Sequence, residues 1–236
     1  MAQVPHARLV SYTNWNPDYL DLANIPDGLV SPEGPVAYTA RVSSPNPANE
    51  EYTRLLTYCL KKGHWSVFEM VDATLELTTS RAISAQVLRH KSFQFQEFSQ
   101  RYAQATQDYQ FSEARLQHPS NRQSSLICDD PAVKAWWELT IRATSERAYS
   151  NYEEALRLGI AKEQARLLLP LATQTRLYMK GSLRSWIHYL NTRLDPSTQL
   201  EHRELAYAIL TELQPIYPTI FAAATEVYPN LANPGK

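Results

Sequence analysis

The stretch VDATLELTTSRAISAQVLRH, residues 71–90, predicts a strand that runs directly into a helix. In its first half, apolar residues alternate with polar ones at Val71, Ala73, Leu75 and Leu77. This alternation is typical of a half-buried strand. Ser80 occupies the position of a helix N-cap, and the helix that it begins is expected to end near Arg89. The segment that follows would therefore start at a helix C-terminus.

Helix and strand patterns recur on both sides of this unit. Upstream, residues 50–62 carry a helical stripe of apolar residues that Gly63 closes as a C-cap. Downstream, an Asp-Pro pair at residues 130–131 opens a long helix, which runs to about Leu158 and stops at Gly159. The remaining predicted elements are a helix over residues 161–169, a strand over residues 173–180, a helix from Ser182 to about Thr192, and a helix that Ser197 or Thr198 caps and that ends before Pro215.

The N-terminal part of the chain has weaker patterns. The first fifty residues are rich in proline and alternate poorly. We expect an irregular N-terminal arm over residues 1–35 and a short strand near residues 34–41. The chain has no internal repeat and no low-complexity tract, so residues 1–236 are predicted to form a single α+β domain that is mostly helical.

The composition is that of a globular protein. Of its 236 residues, 44% are apolar and 11% are aromatic, which suffices for a substantial core. No apolar run approaches the roughly 20 residues that cross a bilayer, and the N-terminus lacks a signal pattern, so we expect a cytoplasmic protein with no membrane partner. Cys59 and Cys128 form no C-x-x-C motif and the histidines form no H-E-x-x-H motif, so we expect no metal site, and both cysteines are predicted to be core residues.

An anion, if the chain binds one, must be recognised locally. The chain has 23 basic and 24 acidic residues, a balance that argues against a protein that coats nucleic acid nonspecifically. Its six glycines form neither G-x-G-x-x-G nor G-x-x-x-x-G-K-[ST], which excludes the backbone phosphate cradles of Rossmann and P-loop proteins. A nucleotide would have to be held mainly by arginine side chains and helix N-termini.

Two segments concentrate the basic residues. Residues 78–107 contain Arg81, Arg89, Lys91 and Arg101 against a single acid, Glu97. Residues 164–194 contain Arg166, Arg176, Lys180, Arg184 and Arg193 with no acid. Because acids usually lie among the cations of an exposed face, one interpretation is that both segments converge on ligands with several phosphates. The alternative is a solvated surface whose acidic partners lie elsewhere in the fold.

The conformation of residues 97–101 has two interpretations. In an extended segment, Glu97, Ser99 and Arg101 would point to the same side and could face one ligand. In a helix, Glu97 and Arg101 would instead form an ordinary i,i+4 ion pair worth about 0.5 kcal/mol or less.

Residues 89–102, RHKSFQFQEFSQRY, resemble the signature R-H-R-x-x-S-x-N-E-x-S-x-R-Y of the flavin-dependent thymidylate synthases. The two agree at Arg89, His90, Glu97, Ser99, Arg101 and Tyr102, and they differ at Lys91, Gln94 and Gln96. Further blocks similar to the family occur in family order: ARVS at 40–43, GHWSVFE at 63–69, ARLLLP at 165–170 and SLRSWIHYLNTRLD at 182–195. The similarity covers most of the chain from about Arg41 onward.

The resemblance implies both a fold and a reaction. The fold would be α+β, with a central, mostly antiparallel sheet flanked by helices, in a homotetramer whose active sites are shared between subunits. The reaction would be the reductive methylation of dUMP to dTMP, with 5,10-methylenetetrahydrofolate as the one-carbon donor and NADPH as the reductant through bound FAD. The family needs no cysteine nucleophile, because flavin and folate carry the chemistry while the protein supplies position and charge.

The resemblance also implies roles for individual residues. Contacts to dUMP would fall on Gln86, Arg89, Glu97, Ser99, Arg101, Arg166 and Arg193. Contacts to FAD would fall on Ser43, Ser66, Glu69, Arg89, His90, Lys91, Ser182 and His188. The residues assigned to catalysis are Arg193, Ser99 and His64. Arg193 would stabilise negative charge that develops on the uracil carbonyls, and His64 would lie near the folate and nicotinamide side of the flavin. Ser99 lies in no G-x-S-x-G elbow and is no obvious hydrolase nucleophile.

Two other functions could use the same residues. A flavin-free nucleotide hydrolase or transferase would hold its substrate with the same arginines. A nucleic-acid-binding module would stack bases on Phe93, Phe95 and Phe98 between the cations of residues 89–101. The formal net charge of −1 counts against that module, so no nucleic-acid partner is expected.

Overall fold

A four-stranded antiparallel sheet lies at the centre of the computed structural model, which describes residues 5–234. In chain order its strands are β1 (His6–Tyr12), β2 (Asp72–Ser80), β3 (Gln94–Glu97) and β6 (Gln174–Ser182), and a separate hairpin consists of β4 (Arg115–Gln117) and β5 (Ser125–Ile127). The order across the sheet is β1-β2-β6-β3. The two longest strands, β2 and β6, are thus neighbours at the centre although they are far apart in sequence.

Helices cover the sheet. Within residues 5–234 they are α1 (Pro17–Leu22), α2 (Gly34–Thr39), α3 (Thr53–Lys62), α4 (Arg81–Val87), α5 (Pro131–Arg157), α6 (Lys162–Ala165), α7 (Leu183–Arg193), α8 (Leu200–Leu213), α9 (Pro218–Val227) and α10 (Pro229–Ala232). Short 3-10 helices occupy Asp27–Leu29, Trp65–Glu69 and Arg166–Leu168. None of the helices in this part of the chain combines the length and apolar character that a membrane crossing requires.

The pairing of β2 with β6 sets the positions of two helices. The register runs from Asp72 opposite Ser182 to Ser80 opposite Gln174. Each strand ends in a serine that caps the next helix: Ser80 Oγ accepts the N–H of Ile83 in α4, and Ser182 Oγ accepts the N–H of Ser185 in α7, both at 3.3 Å. A serine oxygen in this position satisfies a backbone donor that a helix start leaves unpaired. Because the strands are antiparallel, α4 and α7 begin at opposite ends of the sheet.

The core lies between one face of the sheet and the helices. Its members include Leu75 and Leu77 of β2, Leu177 and Met179 of β6, Trp186 and Leu190 of α7, Leu205 and Ile209 of α8, and Phe221 of α9. Each such side chain contributes about 1.5–3 kcal/mol through burial. Trp186 also donates its indole N–H to the carbonyl of Ala73 at 3.2 Å, so α7 is held to β2 by a hydrogen bond as well as by packing.

Most of the predicted elements are confirmed. They are the helix before Gly63, the strand and helix joined at Ser80, the long helix from Asp130, the helix after residue 161, the strand before Ser182 and the helix that Ser182 caps. Gly63 and Gly159 both have positive φ, of 70° and 81°, as expected of glycines that end helices. Cys59 and Cys128 are buried, as predicted.

The cap predicted for α8 is wrong. This helix begins at Leu200 after Gln199, with no side-chain cap. Ser197 instead donates its hydroxyl to Asp195 Oδ1 at 2.6 Å, and Thr198 donates its own to the carbonyl of Thr192 at 3.2 Å. Both hydroxyls therefore stabilise the turn before α8 and do not cap the helix.

The strand predicted near residues 34–41 is also wrong, since α2 occupies this stretch. Pro35 lacks the N–H that a strand needs but fits the first turn of a helix. Glu33, buried beside it, accepts the N–H of Ile220 at 2.8 Å and so holds the segment against the start of α9. These tertiary contacts are not visible in the local pattern.

The arm predicted as irregular contains β1 and α1; its residues 1–4 lie outside the described residues. The β1 strand pairs with β2, and a register shift between Leu9 and Ser11 interrupts its alternation. Leu9 donates its N–H to Glu212 Oε2 of α8 at 2.7 Å. An edge strand with an irregular period lacks the alternation that reveals a strand in sequence.

Gly181 provides a test of this packing. A Cβ at position 181 would lie 2.4 Å from Cδ1 of Phe93, whose ring is buried against Trp186 at a centroid distance of 4.7 Å. Gly181→Ala should therefore lower the free energy of unfolding by about 1–3 kcal/mol, as overpacking does, measured from the urea midpoint. In a Phe93→Leu background the same substitution should cost less. An equal cost in both backgrounds would contradict the contact.

Candidate functional site

Residues 89–92 form a turn that joins α4 to β3 and lies along α7. Near the end of α7, Arg193 Nε donates to His90 Nε2 at 2.9 Å. Near the start of α7, Ser185 Oγ donates to the carbonyl of Ser92 at 3.2 Å. The turn is therefore attached to both ends of α7. The two α7 residues that hold it, Arg193 and Ser185, line two different clefts. Arg89 and Lys91 are exposed on it.

The first cleft, which we call the Arg193 cleft, has a volume of about 560 Å³. It is lined by Gln86, Gln123, Asn191, Thr192, Arg193, Asp195, Ser197, Thr198, Gln199 and Asn230. Two residues of the predicted dUMP set, Gln86 and Arg193, thus come together here. Asn230 fixes the rim, because its Nδ2 donates to the carbonyl of Asn191 at 2.8 Å and to Asp195 Oδ2 at 3.3 Å.

His90 is a neutral acceptor in this arrangement. Burial, together with the positive charges of Arg193 and Arg89, lowers its pKa to about 4. An uncharged imidazole can accept the Arg193 Nε–H on Nε2, whereas an imidazolium could not. The guanidinium of Arg193 is therefore oriented by a neutral partner that leaves its positive charge uncompensated.

A chain of hydrogen bonds begins beside this contact at the buried Tyr189 and ends at the cleft. The ring of Tyr189 meets that of His90 edge to face at 4.8 Å, and its hydroxyl lies 3.0 Å from His202 Nε2. His202 Nδ1 lies 3.2 Å from Gln86 Oε1, and Gln86 Nε2 donates to Gln199 Oε1 at 2.7 Å. His202 is fully buried, and burial with the charge of Arg193 lowers its pKa to about 3.

Our sequence-based prediction did not include Tyr189 and His202. A signal for His202 was available, because it falls on the same helical face as Leu205, Ala206 and Ile209, all of them buried. A histidine on an otherwise apolar face must find partners for its ring nitrogens. The partners, however, come from α4 and α7, and no local pattern identifies them.

The second cleft, which we call the Ser182 cleft, has a volume of about 570 Å³ and lies at the start of α7. It is lined by Glu69, Asp72, Ser92, Gln94, Lys180, Gly181, Ser182, Arg184, Ser185 and His188. Three residues of the predicted FAD set, Glu69, Ser182 and His188, therefore share it. His188 also contacts Trp65, with 4.1 Å between ring centroids, and burial lowers the pKa of its imidazole.

The cations of the second basic segment have acidic partners. Lys180 Nζ lies 3.1 Å from Asp72 Oδ2, and Arg184 forms an ion pair with Glu69. On the outer face of the sheet, Arg176 approaches Glu76 at 3.9 Å. For these cations the interpretation of a solvated surface with acids elsewhere in the fold is correct. The two basic segments do meet where Arg193 contacts His90, while their convergence on a ligand with several phosphates stays a prediction.

Ser66 belongs to a third cavity, of about 560 Å³, lined also by Tyr19, Tyr38, Thr39, Val42, Pro47, Val67 and Met70. Ser66 and Glu69 lie in the same 3-10 helix, Trp65–Glu69, which therefore borders both this cavity and the Ser182 cleft. Ser43 is exposed next to Val42 of the cavity lining. His64 is exposed at the end of α3, with its ring 5.6 Å from that of Tyr58.

Neither interpretation of residues 97–101 holds completely. The chain is extended in β3 as far as Glu97 and then turns at Ser99, whose carbonyl accepts the N–H groups of Tyr102 and Ala103 at 3.1 Å. The helical ion pair is absent from the described structure, because Glu97 and Arg101 have different partners. Arg101 lies 3.6 Å from Glu163 Oε2.

Glu97 is anchored by both basic segments. Its Oε1 accepts hydrogen bonds from Ser84 Oγ at 2.5 Å and Thr175 Oγ1 at 3.1 Å, and it lies 3.1 Å from Arg81 Nη1. These three contacts come from α4 and β6 and all fall on one carboxylate oxygen. The side chain is 18% exposed, so the carboxylate is held rigidly with limited access to solvent.

Three residues of the predicted dUMP set lie in a different group. Arg101 and Arg166 meet around Glu163 of α6, where Arg166 Nε donates to the Glu163 carbonyl at 3.3 Å. Ser99 Oγ accepts the N–H of Arg101 at 3.4 Å. Within the described residues none of the three lines the Arg193 cleft. The structure thus divides the predicted dUMP residues between the Arg193 cleft, the turn that carries Arg89, the Glu97 anchor and this group near Glu163.

Comparison with known proteins gives a consistent result. Residues 27–219 match the family model described as "Thymidylate synthase complementing protein". A flavin-dependent thymidylate synthase of Synechocystis sp. is 57% identical over 194 residues, which cover 82% of this chain and 90% of that protein. A probable flavin-dependent thymidylate synthase of Paramecium bursaria Chlorella virus 1 is 44% identical over 199 residues, which cover 84% of this chain and 92% of that protein.

Two solved structures have a similar fold. Both are of PolB from Streptomyces cacaoi, described as a UMP/dUMP methylase, one bound with 5-Br dUMP and the other with 5-Br UMP. Their TM-scores are 0.77 and 0.78 at 23% and 19% identity, and they cover 95% and 97% of this chain and 96% of each PolB chain. The expected α+β fold, with an antiparallel sheet flanked by helices, is therefore confirmed.

The two neutral imidazoles predict how stability depends on pH. The pKa values of His90 and His202, about 4 and about 3 in the folded chain, lie below the ordinary 6.5, so between pH 6.5 and 4 the unfolded chain binds protons that the folded chain excludes. Lowering the pH from 7.5 to 5 should therefore reduce the free energy of unfolding by on the order of 2 kcal/mol for each imidazole. Urea midpoints at the two pH values, with His202→Gln as a comparison, test this. The variant should lose about half of the effect, and an unchanged difference would contradict the assignment for His202.

Proposed function

This chain belongs to the flavin-dependent thymidylate synthase family, and from this premise we propose that it methylates dUMP to dTMP, with 5,10-methylenetetrahydrofolate as the one-carbon donor and NADPH as the reductant through bound FAD. The observation that supports the proposal most directly is the position of residues 89–92. His90 contacts Arg193 in one cleft, and Ser92 contacts Ser185 in the other. A segment that adjoins both clefts can bring a flavin and a nucleotide next to each other.

The side chains of the Ser182 cleft fit FAD. Lys180 and Arg184, which pair with Asp72 and Glu69 in the free chain, would exchange these partners for a diphosphate, and Ser182 and Gln94 supply hydrogen-bonding groups. FAD, when bound, would carry reducing equivalents from NADPH to the methylation reaction. We assign its binding to Glu69, Ser182 and His188 at this cleft, to Arg89, His90 and Lys91 on the adjacent turn, and to Ser43 and Ser66 across the 3-10 helix. Lys91 offers a single-point contact where the family signature has the planar fork of arginine.

The Arg193 cleft is the proposed site of the pyrimidine. The hydrogen bond that Arg193 makes within the described structure uses Nε, so both Nη groups can donate to a nucleotide. A guanidinium held by a neutral histidine stabilises negative charge that develops on a uracil carbonyl, and this is the catalytic role that we assign to Arg193. Gln86 lines the same cleft and would contact the same nucleotide.

The state of the cysteines supports a reaction without cysteine attack. Cys59 is 4% exposed and Cys128 is 0% exposed. Burial raises the pKa of the Cys59 thiol and so disfavours the thiolate, which is the nucleophilic form. Neither cysteine lines the Arg193 cleft among the residues that the structure describes.

We further propose that the enzyme is a homotetramer with shared active sites. Arg101 and Arg166, both assigned to dUMP, lie around Glu163 and outside the lining of the Arg193 cleft. Beside them Tyr102, Leu167 and Leu171 are 79%, 74% and 70% exposed. Exposed apolar side chains next to substrate-binding residues favour completion of the site by a second copy of the chain. In that arrangement the half-buried Ser99 and the exposed His64 would reach the substrates in a site that a second copy completes, and we expect the assembly in the cytoplasm.

The structure disfavours a nucleic-acid-binding module. Phe93, one of the three proposed stacking platforms, is 5% exposed and packs against Trp186 and Gly181. A buried ring cannot stack on a base. Asp72 and Glu69, which pair with Lys180 and Arg184, also neutralise part of the positive charge that such a module would need.

The complete reaction tests the proposed function. Purified protein incubated with dUMP, methylenetetrahydrofolate, FAD and NADPH should form dTMP, and the flavin absorbance should bleach when NADPH is added without oxygen. The assay measures dTMP by chromatography, with omission of each component as a control. A protein that stays colourless and does not bind added FAD would contradict the proposal, and hydrolysis of dUMP without flavin would favour the nucleotide hydrolase.

Arg193→Ala tests the catalytic role assigned to that residue. Without the guanidinium, dTMP formation should fall about 10²–10³-fold, the loss typical of a missing oxyanion donor, whereas NADPH oxidation should fall far less. Both rates are measured on the same preparation. Arg157→Ala, which removes an exposed arginine paired with Glu154 on α5, is the matched control and should leave both rates unchanged. Equal losses of both rates in Arg193→Ala would refute the role.

A further inference from the structure

We propose that His202 is a positioning residue for Gln86. The hydroxyl of Tyr189 holds His202 in one tautomer, and His202 in turn orients the side-chain amide of Gln86 so that its nitrogen faces the nucleotide. The inference rests on the proposed function, in which Gln86 contacts dUMP. It concerns the chain of hydrogen bonds from Tyr189 through His202 to Gln86, with heavy-atom distances of 3.0 Å and 3.2 Å.

The direction of the protons follows from the first member of the chain. The side chain of Tyr189 is buried, and burial raises the pKa of its hydroxyl, which therefore remains protonated. Among the described residues His202 Nε2 is the partner of this hydroxyl, so the O–H donates to it, and a neutral imidazole has one donor and one acceptor nitrogen. When Nε2 accepts the tyrosine proton, Nδ1 carries the imidazole hydrogen and must donate.

The donor on His202 decides the orientation of the Gln86 amide. Nδ1–H requires an acceptor, and Oε1 of Gln86 lies 3.2 Å away. With Oε1 turned inward, Nε2 of Gln86 points the other way and donates to Gln199 Oε1 at 2.7 Å, at the lining of the Arg193 cleft. Gln199 takes one N–H of this amide, so Gln86 offers its second N–H to the cleft and favours an acceptor atom of the nucleotide, such as a carbonyl, hydroxyl or phosphate oxygen.

Tyr189 couples this amide to Arg193. Its hydroxyl leads through His202 to Gln86, while its ring contacts His90 edge to face at 4.8 Å. His90 in turn accepts the hydrogen bond from Arg193 Nε. One buried side chain of α7 thus holds both cleft residues of the proposed substrate site, each through its own histidine.

The hydrogen bonds of His202 explain why a histidine, and not an apolar residue, occupies this core position. The imidazole is 0% exposed on α8, where the neighbouring buried positions are apolar. A leucine would fill this space without the cost of desolvating an imidazole. It would, however, remove the partner that the structure gives to the Tyr189 hydroxyl and to Gln86 Oε1, and the amide of Gln86 could then rotate.

Three substitutions at His202 separate positioning from packing. The amide nitrogen of Asn reaches the place of the Nδ1 donor, so His202→Asn should bind dUMP within about threefold of the unmodified enzyme. His202→Gln places its amide near Nε2 and His202→Leu has no polar group, so each should raise the dissociation constant of dUMP about tenfold. Calorimetric titration of the FAD-loaded enzyme with dUMP measures these constants, and urea midpoints record stability separately.

Two tyrosine variants complete the experiment. Tyr189→Phe should weaken dUMP binding several-fold because it releases the tautomer of His202, whereas Tyr207→Phe, which removes an exposed hydroxyl from α8, should not change it. Equal affinities in His202→Asn, His202→Gln and His202→Leu would overturn the proposal, as would affinities that simply follow the urea midpoints. If the unmodified enzyme fails to bind dUMP, the proposed function fails and the positioning role fails with it. If the unmodified enzyme binds dUMP and His202→Leu binds it with the same affinity, only the positioning role is overturned.

Discussion

The antiparallel pairing of β2 with β6 is the constraint on which the rest of this structure depends. Both strands are nine residues long and both end in a serine that caps a helix. From Ser182, α7 returns across the sheet over 11 residues, about 16 Å. Its last residue, Arg193, consequently lies beside His90, which follows the helix that began at Ser80. The distance between the two clefts is thus set by the length of one helix.

The site combines neutral histidines with Arg193, whose partner among the described residues, His90, carries no charge. At the surface, Lys180 and Arg184 face carboxylates, and such exposed pairs contribute little to stability. In the interior, His90 and His202 are kept uncharged by burial and by the charge of Arg193. Because neutral partners orient the arginine without cancelling its charge, the charge remains for a substrate, which is what electrostatic stabilisation of a developing anion requires.

Elements with a regular period and clear caps were predictable. The alternation before Ser80 and the Asp-Pro start of α5 are local signals, and both were correct. By contrast, β1 is an edge strand with an interrupted register, and α2 depends on Glu33 reaching the start of α9. Those features require contacts between residues about 65 and 187 positions apart, so no window of sequence contains them.

The sequence by itself determined the main helices and strands, the absence of a glycine-rich phosphate loop and the family signature at residues 89–102, because each of these is written in neighbouring residues. Only the tertiary structure decided which signature residues share a cleft. It joined Gln86 to Arg193, separated Arg101 and Arg166 from them, and placed His202 behind the site. The physical reason is that strand pairing and helix packing, which act between distant segments, fix where a side chain points, whereas capping and periodicity act only along the chain.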